Sequence, residues 1–372
     1  MGGSGTILER RAAALTAMLL LAGCIPSMAP PDTYRQPQYP YRTTPNYPAR
    51  TETPPGSNDQ ISTLPSTPPA WEAHPVTADA HRIAASTYTV RPGDTLRRIA
   101  ERTGSGMSAI ARANNMAEPY RLTPGERLTI PGGRYHLIER GDTGIAIAQA
   151  YGVPWSEIID ANGLGEPYLL RAGQRLLIPD GGAPTAEAPR RSTAAERAAA
   201  FHLDIDDLVT GSEPAIADNG RPARPTRSPS RILASTTPVA TPSRLIGGFS
   251  WPVHGRIISE FGPAAKGVRN DGIQIAVPKG TPVLAAADGV VAYVGSSIPS
   301  LGGLIIIKHG DGYTTVYGNA RKLLVQRGQS VRRGQEIAVS GETGAATQPS
   351  LHFEIRKGRD PIDPLGELSG KS

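Results

Sequence analysis

At 372 residues the chain has room for two or three domains, and its 36 prolines and 42 glycines place much of it outside any packed core. The formal net charge of +6 and a pI near 9.5 favour anionic partners such as cell-wall polymer or lipid head groups, although scattered arginines serve solubility equally well. A single cysteine excludes zinc-finger and disulfide frameworks within one chain, and 5% aromatic content without a compact basic motif speaks against nucleic acid as a partner.

Residues 1–23 have the layout of a secretory leader: Arg10 and Arg11, an apolar run from Ala12 to Leu21, then small residues. The run is too short to cross a hydrocarbon layer of roughly 30 Å as a permanent helix. Leu21-Ala22-Gly23-Cys24 resembles the bacterial lipobox, whose cysteine is acylated and becomes the first residue of the mature protein. The resemblance implies a lipid anchor at Cys24, and Ile25, where retained inner-membrane lipoproteins often carry Asp, implies an outer-membrane lipoprotein facing the periplasm. An ordinary cleaved leader is the alternative. Residues 24–86 are rich in Pro, Thr, Tyr and Gln with no sustained apolar period, a composition that predicts a disordered tether.

An internal repeat follows. Gly93-Asp94-Thr95 recurs as Gly141-Asp142-Thr143, Glu118-Pro119-Tyr120 as Glu166-Pro167-Tyr168, Gly125 as Gly173 and Ile130-Pro131 as Ile178-Pro179, all at one offset of about 48 residues. Each copy opens with a β-type run (Tyr88-Thr89-Val90; His136-Leu137-Ile138) and turns at Gly-Asp. A helix with Leu96, Ile99 and Ala100 on one face follows, N-capped by Asp94, then a second helix over 108–114 and a closing strand over 127–130. This βααβ pattern resembles LysM, a carbohydrate-binding module of cell-wall proteins, over 87–132 and 134–180. The resemblance implies N-acetylglucosamine-containing glycan strands of peptidoglycan held in a shallow groove, lined by Gly93, Asp94, Thr95 and the 115–120 loop from Asn115 in copy one. Gly141, Asp142, Thr143 and the 163–168 loop from Gly163 line its counterpart. Against this stands the simpler role of Asp94 and Asp142 as helix caps. Gly144, where copy one has Leu96, costs about 1 kcal/mol in a helix interior and predicts a weaker second module.

Residues 181–247 are again poor in apolar residues and predict a second disordered linker, with a short helix within 193–208 and a basic run over 221–231 that is most simply a solvated stretch. From 248 to 368, short Val- and Ile-rich runs punctuated by Asp288-Gly289, Gly302-Gly303, Gly310-Asp311-Gly312 and Gly341-Glu342-Thr343-Gly344 predict a mostly antiparallel all-β domain. Asn270-Asp271-Gly272-Ile273-Gln274, Tyr317-Gly318-Asn319 and Ser350-Leu351-His352 stand in the order of the His-x-Gly-x-Asp, Tyr-x-His and His-x-His signatures of the LytM-type (lysostaphin-like) metallopeptidases. The fold class is therefore multidomain: two small α+β LysM modules and one all-β LytM-like domain, joined by Pro-rich linkers.

The resemblance implies three zinc-ligand positions, here Asn270, Gln274 and His352, and two general-base positions, here Asn319 and Ser350. Losing two of three strong ligands weakens zinc binding by about 10⁴-fold, so no zinc or other cofactor and no catalytic residue is expected. Asp271 alternates to the opposite strand face, Glu354 is not a ligand in active members, His309 sits in a packing position, and His254 lies upstream of the ligand stations. Lipobox, LysM and a degenerate LytM-like domain together resemble NlpD-type murein hydrolase activators. That implies contact with an N-acetylmuramoyl-L-alanine amidase during daughter-cell separation, through Asn270, Gln274, Asn319, Ser350, His352 and the 296–302 loop. Two other functions stay open: a zinc endopeptidase with an altered ligand set, and a passive tether of membrane to wall.

Overall fold

The computed structural model describes residues 69–180, 193, 197, 201–217, 219–227, 232–240, 242, 244–263 and 269–369. The leader, Cys24 and the tether as far as residue 68 lie outside the described residues, as do 181–192 and part of the basic run.

Both repeats fold as the spacing predicts. In copy one, β2 (Ser86–Thr89) pairs antiparallel with β3 (Arg127–Ile130), and helices α2 (Leu96–Thr103) and α3 (Met107–Ala113) cover one side. Leu96, Ile99 and Ile110 meet Leu128 and Ile130 in a small core. The cap of α2 is Thr95, whose Oγ1 accepts from the Arg98 N–H at 3.3 Å, and not Asp94. Asp94 lies one residue too early to cap and instead closes the preceding turn, accepting from the Arg91 N–H at 2.9 Å and the Tyr88 hydroxyl at 2.8 Å. Copy two repeats the arrangement with β4 (Gly133–Leu137), α4 (Gly144–Tyr151), α5 (Trp155–Asn162) and β5 (Arg175–Ile178), capped by Thr143. One side-chain device occurs in both: Asn114 donates to the Ile110 and Thr129 carbonyls and accepts from the Thr129 N–H, and Asn162 does the same with Ile158 and Leu177. It fastens the second helix to the closing strand.

Gly144 in copy two is matched by a change in its packing partner. A Cβ there would meet the Trp155 ring at 2.5 Å, and Trp155 is fully buried while Met107, its counterpart one repeat earlier, is 36% exposed. The indole fills the volume that Leu96 fills in copy one, so the glycine is the small half of a compensated pair.

Neither linker is wholly unstructured. Within the stretch assigned to the first, helix α1 (Ala70–Ala73) buries Trp71, and strand β1 (His81–Ile83) joins the edge of copy two's sheet, pairing His81 with Tyr135. Within the second, α6 (Ile205–Gly211) opens on a capping box between Asp204 and Asp207 and buries Leu208 and Val209. Thr226 donates its N–H to the Gly328 carbonyl and accepts from Ser330. Average composition hid these pieces because a few apolar side chains per segment suffice once a large apolar surface lies nearby.

That surface belongs to the C-terminal domain, a ten-stranded antiparallel sheet among the described residues. Its main path runs β11 (Ser330–Val331), β8 (Gly289–Gly295), β9 (Gly303–Lys308), β10 (Tyr313–Leu323), β12 (Ser350–Lys357), β7 (Ile273–Ala276) and β6 (Arg256–Ser259). Ile305 and Ile307 of β9 enter the domain's own core with Phe249, Tyr317 and Phe353, whose last two rings lie 5.4 Å apart. Leu304 and Ile306 point the other way, into a second cluster with Trp71, Ile145, Leu208 and Val209. An unbroken apolar run is what a strand covered on both faces requires.

Candidate functional site

Three adjacent strands of the sheet, β10, β12 and β7, place the LytM-like stations side by side. Gln274 on β7 is the register partner of His352 on β12, and His352 is the partner of Gly318 on β10, next to Asn319. Gln274, Asn319, Ser350 and His352 therefore converge on the floor of one cleft, with Asn270 at its side.

Their polar atoms are spent on one another. Gln274 Nε2 donates to Asn319 Oδ1 at 2.8 Å and to Ser350 Oγ at 2.7 Å, while its Oε1 faces His352 Nδ1 at 3.2 Å. Ser350 donates onward to the Gln348 carbonyl at 3.0 Å, and Asn319 Nδ2 to the Thr343 carbonyl at 2.8 Å. The other His352 nitrogen, Nε2, meets Glu354 Oε1 at 2.9 Å, and Arg356 donates to Glu354 Oε2 at 2.8 Å. Burial alone would raise the Glu354 carboxyl, but the His352 hydrogen bond and the Arg356 guanidinium outweigh it and hold the group below the usual range. Asn270 turns aside, donating to Ser259 Oγ at 3.1 Å and to the Glu260 carbonyl at 2.8 Å.

Asn319 has φ of +64°, a left-handed conformation that Asn tolerates better than most residues. It links two loops, because its N–H donates to the Leu301 carbonyl at 2.6 Å and its side chain reaches Thr343. Gly302 and Gly344 let those loops touch: a Cβ on Gly302 would lie 2.3 Å from Thr343 Oγ1, and one on Gly344 2.5 Å from the Ser300 carbonyl. The expected 296–302 loop thus lines the cleft through Ser300 and Leu301. Sequence reasoning missed the adjoining rim, Ala345 to Gln348, which joins the 296–302 loop through the Ala345 N–H to Ser300 carbonyl bond at 2.8 Å, and where Ala345, Thr347 and Gln348 are exposed whereas Asn319 and Ser350 are buried below them. The Glu342-Thr343-Gly344 turn signal beside the third station was the available clue.

The remaining candidates are elsewhere. Asp271 pairs with Arg269 at 3.2 Å, and His254 is exposed. His309 is buried between the Asp288 carbonyl and Thr315 Oγ1, each 2.7 Å away, and burial pushes it down to about 4.

The two repeats present the loops expected to line a groove differently. In copy one Gly93 and Thr95 are exposed, as are Asn115 and 117–119, so both lips of the groove are open. In copy two Gly163 and 165–167 are exposed, but Gly141, Asp142 and Thr143 are buried, contrary to the expectation of an open groove. His74 Nδ1 lies 3.1 Å from Asp142 Oδ1, and the chain around Pro214 bridges to Thr143.

The LysM domain model matches residues 88–131 and 136–179, and the model of peptidase family M23 matches 268–364. The chain is 35% identical over 291 residues to the uncharacterized lipoprotein YgeR of Escherichia coli (strain K12), covering 78% of this chain and 84% of that one. It is 31% identical over 310 residues to the murein hydrolase activator NlpD of the same organism, covering 77% and 68%. With the lipoprotein NlpD/LppB homolog of Pseudomonas aeruginosa it shares 47% identity over 134 residues, 36% of this chain and 43% of that protein, so the shared stretch spans less than half of that relative's length.

Proposed function

The chain belongs to the family of LysM- and M23-containing lipoproteins that includes the murein hydrolase activator NlpD, and on that premise we propose that it is a non-catalytic activator of a cell-wall N-acetylmuramoyl-L-alanine amidase. The reading adds lipidation at Cys24, an outer-membrane position facing the periplasm, and attachment to peptidoglycan glycan strands through LysM.

One observation carries the proposal: the closed hydrogen-bond network over the cleft floor. A zinc site needs three converging donors with lone pairs free for the metal at about 2.0–2.3 Å. The donor set present does not fit. Gln274 has both amide hydrogens and its oxygen committed within the network, Asn270 is turned to the end of β6, and each ring nitrogen of His352 faces an acceptor oxygen. Among the described residues no group of three His, Cys, Asp or Glu side chains is placed to hold a metal ion. Neither Asn319 nor Ser350 acts as a general base at neutral pH.

A floor hydrogen-bonded this densely is also a rigid one. Beneath the exposed rims at 299–300 and 344–348 it makes a preformed surface suited to holding a segment of another protein with little rearrangement. The test is the purified chain mixed with amidase and dye-labelled sacculi. Dye release should require both proteins, survive a chelator of trace zinc added to this chain beforehand, and fall at least about tenfold with Gln348→Arg. Chelator-sensitive digestion by this chain alone would sink the proposal.

A further inference from the structure

The buried lip of copy two has a specific cause. Residues 214–216 run as an extended segment between the 141–143 turn and the 170–172 stretch that follows the 163–168 loop, and pair with both. On one side the Ala215 N–H donates to the Asp142 carbonyl at 2.6 Å and the Gly141 N–H to the Ala215 carbonyl at 3.2 Å. On the other, the Ile216 N–H donates to the Leu170 carbonyl at 3.1 Å and the Ala172 N–H to the Ile216 carbonyl at 3.0 Å. Pro214, Ala215 and Ile216 are all buried, and Ala215 packs on copy two's core.

We infer that the groove of the second LysM is a peptide-receiving site filled by the chain's own Pro214–Ile216, so that glycan is bound through the first LysM alone. The glycan half of this statement rests on the LysM reading given above; the seated segment does not. Backbone N–H and C=O groups along a shallow groove are the atoms it offers to an acetamido or hydroxyl group, and in copy two those of Gly141, Asp142, Leu170 and Ala172 are already engaged by the segment. The occupant cannot drift away easily. Glu213, the residue before it, is ion-paired to Arg327 at 3.2 Å and lies 3.7 Å from Lys308, both in the C-terminal domain, and α6 before that is buried.

Copy one cannot accept the same guest in the same way. One repeat length before Ala172 stands Pro124, which has no N–H to give to a paired carbonyl, and a Cβ on Gly93 would meet nothing within 4 Å, whereas one on Gly141 would meet His74 at 3.2 Å. The distinction between an open sugar groove and a filled peptide groove is therefore written partly in the loops themselves.

Hydrogen–deuterium exchange on the full chain, with and without an N-acetylglucosamine hexamer, tests this. Amides of 215 and 216 should exchange at least about 100-fold more slowly than in a free peptide of the same sequence, and the hexamer should protect 93–95 and 115–120 while leaving 141–143 and 214–216 unchanged. Free-chain exchange at 214–216 would overturn the inference, as would a hexamer that releases that segment and protects 141–143. If the hexamer changes neither copy while 215 and 216 stay slow, the seated segment stands and the glycan reading of LysM fails.

Discussion

The two LysM copies share a fold and every turn signal, yet one faces solvent and the other is packed on its neighbours. Their first helices show why. In α2, Arg97, Arg98, Glu101 and Arg102 surround a single apolar stripe, the pattern of a helix with one face in a small core. In α4 the same positions carry Ile145, Ala146, Gln149 and Ala150, and Ile145 is fully buried against Leu208 and the outer face of β9. A repeated fold thus need not serve a repeated purpose, for copy two has exchanged an exposed helix for a docking face, and an open groove for a filled one.

The sharpest way to break this contrast is a charge at paired positions. Ile145→Asp should destabilise the body formed by copy two and the sheet by about 4 kcal/mol, whereas Arg97→Asp should stay within about 0.5 kcal/mol, read as shifts in denaturant midpoint. Equal losses at both positions would mean that α4 is not docked.

Acid should separate the copies next. The folded pKa of His309 is depressed from 6.5 to about 4, so the unfolded state takes up the proton first, and the His309 contribution to stability is lost as pH drops from 6.5 to 4. The loss, about 3 kcal/mol at most, should loosen the sheet and copy two together, followed through Trp155 and Trp251 emission, and leave amide protection in copy one intact. His309→Gln should flatten the response. A smaller effect is expected at the compensated pair. Gly144→Ala, forced against a buried indole, should cost about 2 kcal/mol, and Gly144→Leu with Trp155→Met should cost at least about 1 kcal/mol less than the sum of the two single changes. Additive losses would show that the two positions do not share one volume. Last, Ala117→Trp in the exposed loop of copy one should weaken N-acetylglucosamine hexamer binding about tenfold, and Gly165→Trp at the matching exposed site of copy two should leave it unchanged by calorimetry.

Much of this was legible in the residues. The 48-residue offset located both modules, period and turn signals gave βααβ and an antiparallel sheet, and the LytM-like stations fell on adjacent strands as their spacing implies. What escaped were contacts between distant segments. Pro214–Ile216 has no periodicity of its own, and its partners lie in another module, so only the structure could join them. Two clues were nonetheless present: a helix over 144–151 with Gln149 as its one strongly polar side chain, too apolar to be covered on one face alone, and Asp204-x-x-Asp207 ahead of Leu208-Val209, a capping box before an apolar pair. The cleft divided similarly. The residue types at the three stations were visible, but the mutual satisfaction of Gln274, Asn319 and Ser350 depends on a register that side-chain identity alone does not give.

The order in which the chain visits copy two's sheet has a mechanical consequence. Because β1 pairs with β4 before and after the whole of copy one, the first module hangs as an excursion from two neighbouring strands. Tension arriving from upstream of residue 69 enters at Trp71 and β1, shears against β4, and passes to the C-terminal sheet without crossing the first module. A load carried by the molecule would bypass the open first module, which then feels only the pull of whatever it grips.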